Sequence, residues 1–237
     1  MDSYATLAQF YDGVQGDRVD HARYLESLID KHHPRAKSLL ELACGTGSVL
    51  KQLKPRYRIT GIDISDEMLE CAAQKLPEER LLYGDMRRFD LGETYDVVLC
   101  VFDSINHLLR FEEWEMVFER ACAHVDDGGL FIFDINSERR LAALAAGPPS
   151  TQWFGEENLV LFDVVDDNGV SVWRIRIFEH VGSSNYRLHA EDIREVSFPP
   201  ERIKESLRRQ YRRVWIYDAR RARPTPRSDR LHFVCRR

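Results

Sequence analysis

The sharpest chemical signal in the chain is a carboxylate four residues ahead of a glycine pair: Glu41, then Gly45-Thr46-Gly47. Ser38-Leu39-Leu40-Glu41-Leu42-Ala43 reads as a short buried strand. A Gly-x-Gly turn at such a strand's end lets backbone N–H groups approach a ligand closely. The turn alone names no ligand. A dinucleotide fingerprint needs a third glycine at position 50, where Leu50 stands, and no Gly-Lys-Ser/Thr follows to make a phosphate loop. Glu41 would repel a pyrophosphate and attract a cation. A nucleoside carrying an amino acid, with an ammonium and a sulfonium centre, therefore fits better than a dinucleotide.

Two later acids extend the pattern. Asp63 closes a second strand expected at Arg58–Asp63, where its carboxylate can accept hydrogen bonds from both hydroxyls of a ribose. Asp85 follows a third strand, Arg80–Tyr83, in the place of an acceptor for an adenine amine. Strand ends on one edge of a parallel sheet converge on a single crevice. Each acid also has a plain structural role open to it: Asp63 and Asp85 as caps, Glu41 as half of a buried ion pair.

The elements that must position these groups alternate. A helix at 18–33 is marked by Ala22, Leu25, Leu28 and Ile29 and stopped by Pro34. Short helices follow the first two strands, the second of them starting near Asp66. Tyr95–Phe102 is almost wholly apolar, as a strand buried on both faces should be. Trp114, Val117, Phe118, Ala121 and Val125 mark a helix ending at Asp126-Asp127-Gly128-Gly129, and Leu130–Asp134 is a fifth strand. This order predicts an α/β fold with a parallel sheet. From 152 to 198 the chain turns strand-rich. Asp166-Asp167-Asn168-Gly169 is a hairpin signal and Trp173, Ile175 and Ile177 share one face, so three runs suggest a small inserted antiparallel sheet. Pro199-Pro200 opens another helix with Ile203 and Leu207 inward, and strands near Tyr211–Tyr217 and Leu231–Cys235 close the chain.

Composition sets outer bounds. The 237 residues, 43% hydrophobic and 31% charged, are globular in proportion, with no apolar run long enough to span a bilayer. The opening residues lack the basic and apolar regions of a signal peptide. Five cysteines with no Cys-x-x-Cys pair argue against a disulfide framework or zinc site and fit a reduced cytoplasm. No metal cluster is evident. Net charge is −5, but residues 202–237 hold 13 Lys and Arg against 3 Asp and Glu. That tail reads as a solvated basic face rather than a nucleic-acid footprint, since no aromatics interleave with it.

Leu40-Glu41-Leu42-Ala43-Cys44-Gly45-Thr46-Gly47, Gly61-Ile62-Asp63-Ile64-Ser65 with Met68, and Gly84-Asp85-Met86 resemble the successive motifs of class I S-adenosylmethionine-dependent methyltransferases. Asp126-Asp127-Gly128-Gly129-Leu130 is similar to their turn into the fifth strand. The resemblance covers roughly residues 4–140 and the closing strands. It implies a Rossmann-like seven-stranded sheet, last strand antiparallel, with helices on both faces. Residues 1–150 and 199–237 would form that domain and 151–198 an inserted substrate lid. It implies S-adenosyl-L-methionine as cofactor, leaving as S-adenosyl-L-homocysteine. Glu41, Gly45 and Gly47 would face the methionine part, Asp63 the ribose, and Asp85 and Met86 the adenine. Met68 would pack near the nucleoside, and Ala43, Ile64 and Gly84, inside the same motifs, would complete the contacts.

Two segments point to a subgroup. Tyr4-x6-Tyr11-Asp12, ahead of the first helix, resembles the N-terminal segment of small-molecule members, in which a tyrosine covers the methionine end; Tyr11 is the candidate. Phe102-Asp103-Ser104-Ile105-Asn106-His107-Leu108 is similar to the corresponding segment of glycine and amino-sugar N-methyltransferases, which places His107 near the cofactor carboxylate or the acceptor. If the acceptor is an amine, His107 is the first candidate for a general base and Asp103 the second. Asp134 and Asn136 are placed to line the acceptor pocket, or to cap a turn. A small-molecule acceptor with a lean to N-methylation is favoured over RNA or protein. The Asp/Asn-Pro-Pro-aromatic motif of base-amino methylases is absent where Asp103-Ser104 stands, as is the Pro-Cys nucleophile of cytosine C5 enzymes. A non-catalytic cofactor-binding module is the alternative from another class, an NAD-dependent oxidoreductase is disfavoured by Glu41 and Leu50, and monomer and homodimer are both open.

Overall fold

The computed structural model describes residues 6–219 and 223–237. In chain order, α1 (Ala8–Gln15) and α2 (Val19–His32) precede β1 (Ser38–Leu42), α3 (Ser48–Leu53), β2 (Arg58–Asp63), α4 (Asp66–Lys75) and β3 (Arg80–Tyr83). Then come β4 (Tyr95–Cys100), a 3-10 turn (Ser104–His107), α5 (Phe111–His124), β5 (Val125–Asn136) and α6 (Glu138–Ala145). A second group follows, β6 (Ser150–Phe154), β7 (Asn158–Asp167), β8 (Val170–His180) and β9 (Tyr186–Glu195). The chain ends with α7 (Pro200–Leu207), β10 (Arg213–Asp218) and β11 (Arg230–Arg236).

Seven strands form one sheet in the order β10-β11-β5-β4-β1-β2-β3. Strands β1 to β5 pair in parallel, and β11 runs antiparallel to both β5 and β10. This is the expected Rossmann-like arrangement. Period-two alternation sorts the strand side chains onto two apolar layers. Leu40, Val98, Phe131 and Phe233 pack with Trp114 and Phe118 of α5 and Ile203 and Leu207 of α7. Leu39, Val97, Ile132 and Val234 pack with Leu25 and Ile29 of α2 and Leu50 and Leu53 of α3. Among the described residues no helix is long and apolar enough to cross a membrane.

Three local features differ from expectation. The inserted sheet has four strands, β6-β7-β8-β9, not three. Its first strand, Ser-Thr-Gln-Trp-Phe, buries only Phe154 and so carries little apolar alternation. Helices α1 and α6 were not expected, since each buries too few residues to print a helical period. Tyr11 and Asp12 therefore lie within a helix, while Tyr4 lies outside the described residues. Finally, Asp126–Gly129 does not precede the fifth strand but bulges within it: Tyr95 pairs Val125 and Val97 pairs Leu130. Gly129 permits this, because a Cβ there would stand 2.7 Å from the Asp96 carbonyl oxygen.

The small sheet and α1 share a third apolar cluster, with Leu7 and Phe10 against Phe154, Val160, Ile175 and Ile177. The insert is thus docked on the N-terminal helix. Close packing at Gly61 supplies a test of the β1–β2 layer. A methyl there would meet Cys44 Sγ and Leu50 Cδ1, each at 2.8 Å. Gly61→Ala is expected to destabilise the fold by about 1–3 kcal/mol through overpacking; unchanged urea unfolding would contradict this packing.

Candidate functional site

The C-terminal ends of β1 to β5 open on one edge of the sheet, and the backbone there is bent by left-handed residues. Ala43, Gly45 and Gly47 have φ of 53°, 54° and 71°. Gly47 is also sterically required, since a Cβ would lie 2.9 Å from Leu76 Cδ1. The turn is tied down on both sides. Asp63 accepts the Gly45 N–H at 2.7 Å and the Ser65 N–H at 2.9 Å. Asp12 of α1 accepts Thr46 Oγ1 at 2.6 Å and Ser48 Oγ at 2.7 Å, and pairs with Lys75. Burial alone would raise the Asp12 carboxyl; the bonds from Lys75, Thr46 and Ser48 hold it below its usual range.

Three connected hollows lie along this edge. A narrow one is lined by Tyr11, Arg18, Glu41, Ala43, Gly45 and Phe102. Glu41 is 2% exposed, and its Oε2 is buried without a hydrogen-bond partner. Burial, reinforced by Asp63 and opposed by Arg18, raises its carboxyl well above the ordinary range. A buried, unsatisfied carboxylate oxygen is costly and calls for a donor. The second hollow, a groove of about 480 Å³, shares Ala43 and adds Ile64, Tyr83, Gly84, Asp85 and Met86. Ile64 and Tyr83 are 50% and 65% exposed, apolar faces suited to a planar ring. The third, a chamber of about 600 Å³, shares Tyr11 and Phe102 with the first. It extends beneath the inserted sheet past Phe162, Trp173 and Ile175.

Most of the sequence candidates distribute over these hollows, but Gly47 and Asp63 line none of them, Asp63 being turned to the Gly45 and Ser65 amides. Glu41, Ala43, Gly45 and Tyr11 line the first; Ala43, Ile64, Gly84, Asp85 and Met86 line the groove. Met68 is buried behind the turn, its sulfur 3.9 Å from where a Gly45 Cβ would stand. Asp85 is held by Arg87, whose Nη2 donates at 2.6 Å, and that bond keeps its carboxyl low. Tyr11 is pushed up to about 12, chiefly by burial. The two expected proton acceptors are separated. His107 lines the nucleoside-sized groove, with Nδ1 3.2 Å from the Arg194 carbonyl, and burial lowers its pKa. Asp103 lines the chamber. It follows Phe102 in a left-handed pair, φ 58° and 53°, a strained backbone of the kind that marks functional sites.

Asp103 belongs to a network that local sequence does not reveal. Arg230 on β11 donates to Asp103 at 2.5 Å, Asp134 at 3.1 Å and Asn136 at 3.3 Å. Asp134 also accepts the Asp103 N–H at 2.7 Å. Asn136 bridges Asp103 and Glu195 of β9, at 2.9 and 3.0 Å. Asp134 and Asn136 thus build the chamber wall and its support rather than cap a turn. Arg18, Glu195 and Arg230 were missed because their partners are distant in sequence; Arg230 in particular lies in the basic tail and is not solvated there. Trp173 brings an indole N–H that is buried without an acceptor.

His21, Asp134 and His232 bring one potential metal-ligand atom each to within 4.8 Å of one another, a grouping the sequence spacing does not announce. Asp134 is already filled by Arg230 and the Asp103 amide.

Residues 39–129 match the family model described as a methyltransferase domain. Over 133 residues the chain is 38% identical to dTDP-3-amino-3,6-dideoxy-alpha-D-glucopyranose N,N-dimethyltransferase of Streptomyces fradiae, covering 54% of this chain and 52% of that protein. It spans about half the length of the first curated relatives it matches. A S-adenosylmethionine-dependent methyltransferase from Clostridium acetobutylicum superposes with a TM-score of 0.86 at 21% identity, covering 98% of each chain. CalS10, an amino pentose methyltransferase from Micromonospora echinaspora, gives 0.78 at 23% identity, covering 96% of this chain and 94% of that one. The fold along almost the whole chain is that of these two solved structures.

Burial holds His21 down to about 4 and also lowers His232. Both rings are neutral in the native state, whereas an unfolded histidine takes up its proton near 6.5. Between those values the unfolded chain binds more protons, so stability falls as pH drops from 6.5 toward 4. The His21 share is about 3 kcal/mol. In urea unfolding, His21→Asn should lose about 2–3 kcal/mol less than wild type between pH 7 and 4.5; an identical loss would refute the assignment.

Proposed function

We propose that this chain is a methyltransferase that moves a methyl group from S-adenosylmethionine to the amino group of a small molecule, a nucleotide-linked amino sugar by analogy with the named relatives. One observation carries the reading: a buried carboxylate with an unpartnered oxygen, Glu41, faces Arg18 in a hollow that opens into a nucleoside-sized groove on one side and a roofed chamber on the other.

The residues fit the cofactor. Glu41 would take its ammonium and Arg18 its carboxylate, complementary charges in a desolvated space. Asp63 would hold the ribose, Gly45 and Gly47 allowing close approach. Ile64, Gly84, Met86 and Tyr83 would pack around the adenine, with Asp85 at its amine and Met68 supporting the turn from behind. When bound, the sulfonium supplies a methyl carbon already activated for displacement. The protein's remaining work is alignment and exclusion of water. Tyr11 and Phe102 stand at the junction of methionine hollow and chamber. The Arg18 guanidinium lies 3.9 Å from the Phe102 ring centroid, so Phe102 orients the arginine that would take the carboxylate, and the Tyr11 ring is the one placed to face a cationic centre.

Residues 151–198 act as the acceptor lid, seated against α1. Variable segments over a fixed scaffold set specificity. Of the two expected bases, Asp103 faces the acceptor, while His107 supports the nucleoside side. Five free thiols suit a reducing compartment, and we assign the protein to the cytoplasm. An RNA acceptor is less favoured because Arg230, and Arg236 through the His32 carbonyl, are committed to internal contacts.

Calorimetry with S-adenosylmethionine tests the cofactor half. Wild type should bind, and Glu41→Gln and Arg18→Ala should each weaken binding about 10- to 100-fold, the worth of a charge-assisted hydrogen bond. Absence of binding by wild type would overturn the reading. Transfer of labelled methyl into dTDP-3-amino-3,6-dideoxyglucose tests the acceptor half and separates an enzyme from a non-catalytic binder.

A further inference from the structure

We propose that Glu195 is the group that takes the proton from an amine acceptor, with Asp103 beside it helping to hold the acceptor's ammonium in the chamber. The inference rests on the methyl-transfer reading and adds to it a residue, from the inserted sheet, that touches the acceptor.

Glu195 is the last residue of β9, paired across the ladder with Ser171. It is 4% exposed, yet it forms part of the chamber wall together with Asp103. On the roof side of the chamber the inserted sheet presents Phe162, Trp173, Ile175 and Ile193, and a buried carboxylate among them needs a reason. Packing does not give one, since a Leu or Gln would fill the space without the desolvation cost. Asn136 clamps the two carboxyls side by side by donating to both from one amide nitrogen, and two buried carboxyls held this close favour a single proton shared between them.

The charged groups that act on Glu195 are Asp103, after β4, and Arg230, on β11; β5 presents Asn136 and β8 presents Ser171. Burial and the Asp103 charge raise the Glu195 carboxyl well above its usual range, with Arg230 opposing. Arg230 donates to Asp103 at 2.5 Å and to Asp134 at 3.1 Å, so its charge is shared between those two carboxylates. The result is an acidic pair that holds a proton readily and exchanges it for a cation.

An incoming ammonium supplies that cation. It replaces the shared proton, which leaves to solvent, and bridges the two carboxylates. One N–H proton then passes to a Glu195 oxygen, freeing the nitrogen lone pair. That pair forms the new N–C bond as the C–S bond breaks, with its electrons remaining on sulfur. The positive charge moves from sulfur to nitrogen, and the proton now on Glu195 remains as the product ammonium departs, restoring the singly protonated pair, so that each turnover releases the one proton displaced at entry. A hydroxyl acceptor gains nothing comparable from the pair, because it brings no charge. The chamber therefore selects amines.

The experiment uses the full chain, with dTDP-3-amino-3,6-dideoxyglucose as the amine probe and dTDP-6-deoxyglucose as its hydroxyl counterpart. Binding of both is measured in the presence of S-adenosylhomocysteine, and methyl transfer to the amine is followed from pH 5.5 to 9. Wild type should bind the amine at least tenfold tighter than the hydroxyl compound. Glu195→Gln, nearly isosteric, should keep S-adenosylmethionine affinity and thermal midpoint, lose that preference, and lower kcat/KM 100-fold or more. The acid limb of its pH profile should flatten, and Glu195→Asp should recover part of the rate. A Glu195→Gln enzyme within twofold of wild type with an unchanged profile would overturn the inference. So would a wild type that binds S-adenosylmethionine but prefers the hydroxyl compound, or neither binds nor methylates the amine. Wild type that fails to bind S-adenosylmethionine would instead overturn the methyl-transfer reading beneath it.

Discussion

One guanidinium holds the chamber side of the molecule together. Arg230 sits between Asp103 and Asp134, and Asp134 has no exposed surface. Removing two carboxylates from water costs several kcal/mol each unless a partner is present in good geometry. Arg230 is that partner, and it comes from the antiparallel strand β11, which therefore has to pair beside β5 in register. Its neighbours show the consequence: Arg230 pairs Asn136 across the ladder and His232 pairs Asp134. The one strand that runs against the other six thus has a local purpose, delivering a cation to the edge where β4 and β5 present acids.

Strain is placed at the same junction. Phe102 and Asp103 both take left-handed backbone conformations with ordinary side chains, at a cost of order 1–3 kcal/mol each. The Asp103 side chain is fixed by Arg230 and Asn136, and its amide by Asp134, so surrounding bonds over-determine the bend. The bend lets Phe102 face the methionine hollow and the chamber at once. On the other flank, Asp12 pins α1 to the glycine turn through Thr46 and Ser48, and α1 in turn carries Tyr11. Two polar anchors thereby set two aromatic rings on either side of one passage.

The residues proposed to hold the cofactor stand out in the sequence because their placement is written locally. Glu41, Gly45 and Gly47 lie at or just past the end of β1, and Asp63 and Asp85 at or just past the ends of β2 and β3; parallel pairing brings such ends together whatever the rest of the chain does. The two-layer core was legible for the same reason: Trp114, Phe118, Ile203 and Leu207 print their helical spacing directly. The acceptor half was not. Arg18, Glu195 and Arg230 act through partners that lie far away in sequence, and no period or motif announces such a pairing. Helices α1 and α6 escaped because they pack by one or two residues, and β6 because only Phe154 turns inward. Arg230 was hidden by composition as well, since it stands among basic residues whose summed charge suggests a solvated face.

The charge logic of the two halves is opposite, and on the proposed reading that opposition permits turnover. Glu41 is enclosed, with an oxygen left over and Arg18 nearby, an arrangement suited to a zwitterion that stays bound through the reaction. Asp103 and Glu195 share their field with Arg230 and Asn136, so the pair's net demand for positive charge is smaller and can be met by a proton between substrates. Methyl transfer shifts one positive charge from sulfur toward nitrogen over the width of a single bond. A site with uncompensated acids on both sides would hold the product ammonium too tightly, whereas one with none would leave it in an apolar chamber against Trp173 and Ile175. On the proposed reading, partial compensation by Arg230 lies between these limits, stabilising the charge as it arrives and releasing it because the pair again holds its own proton.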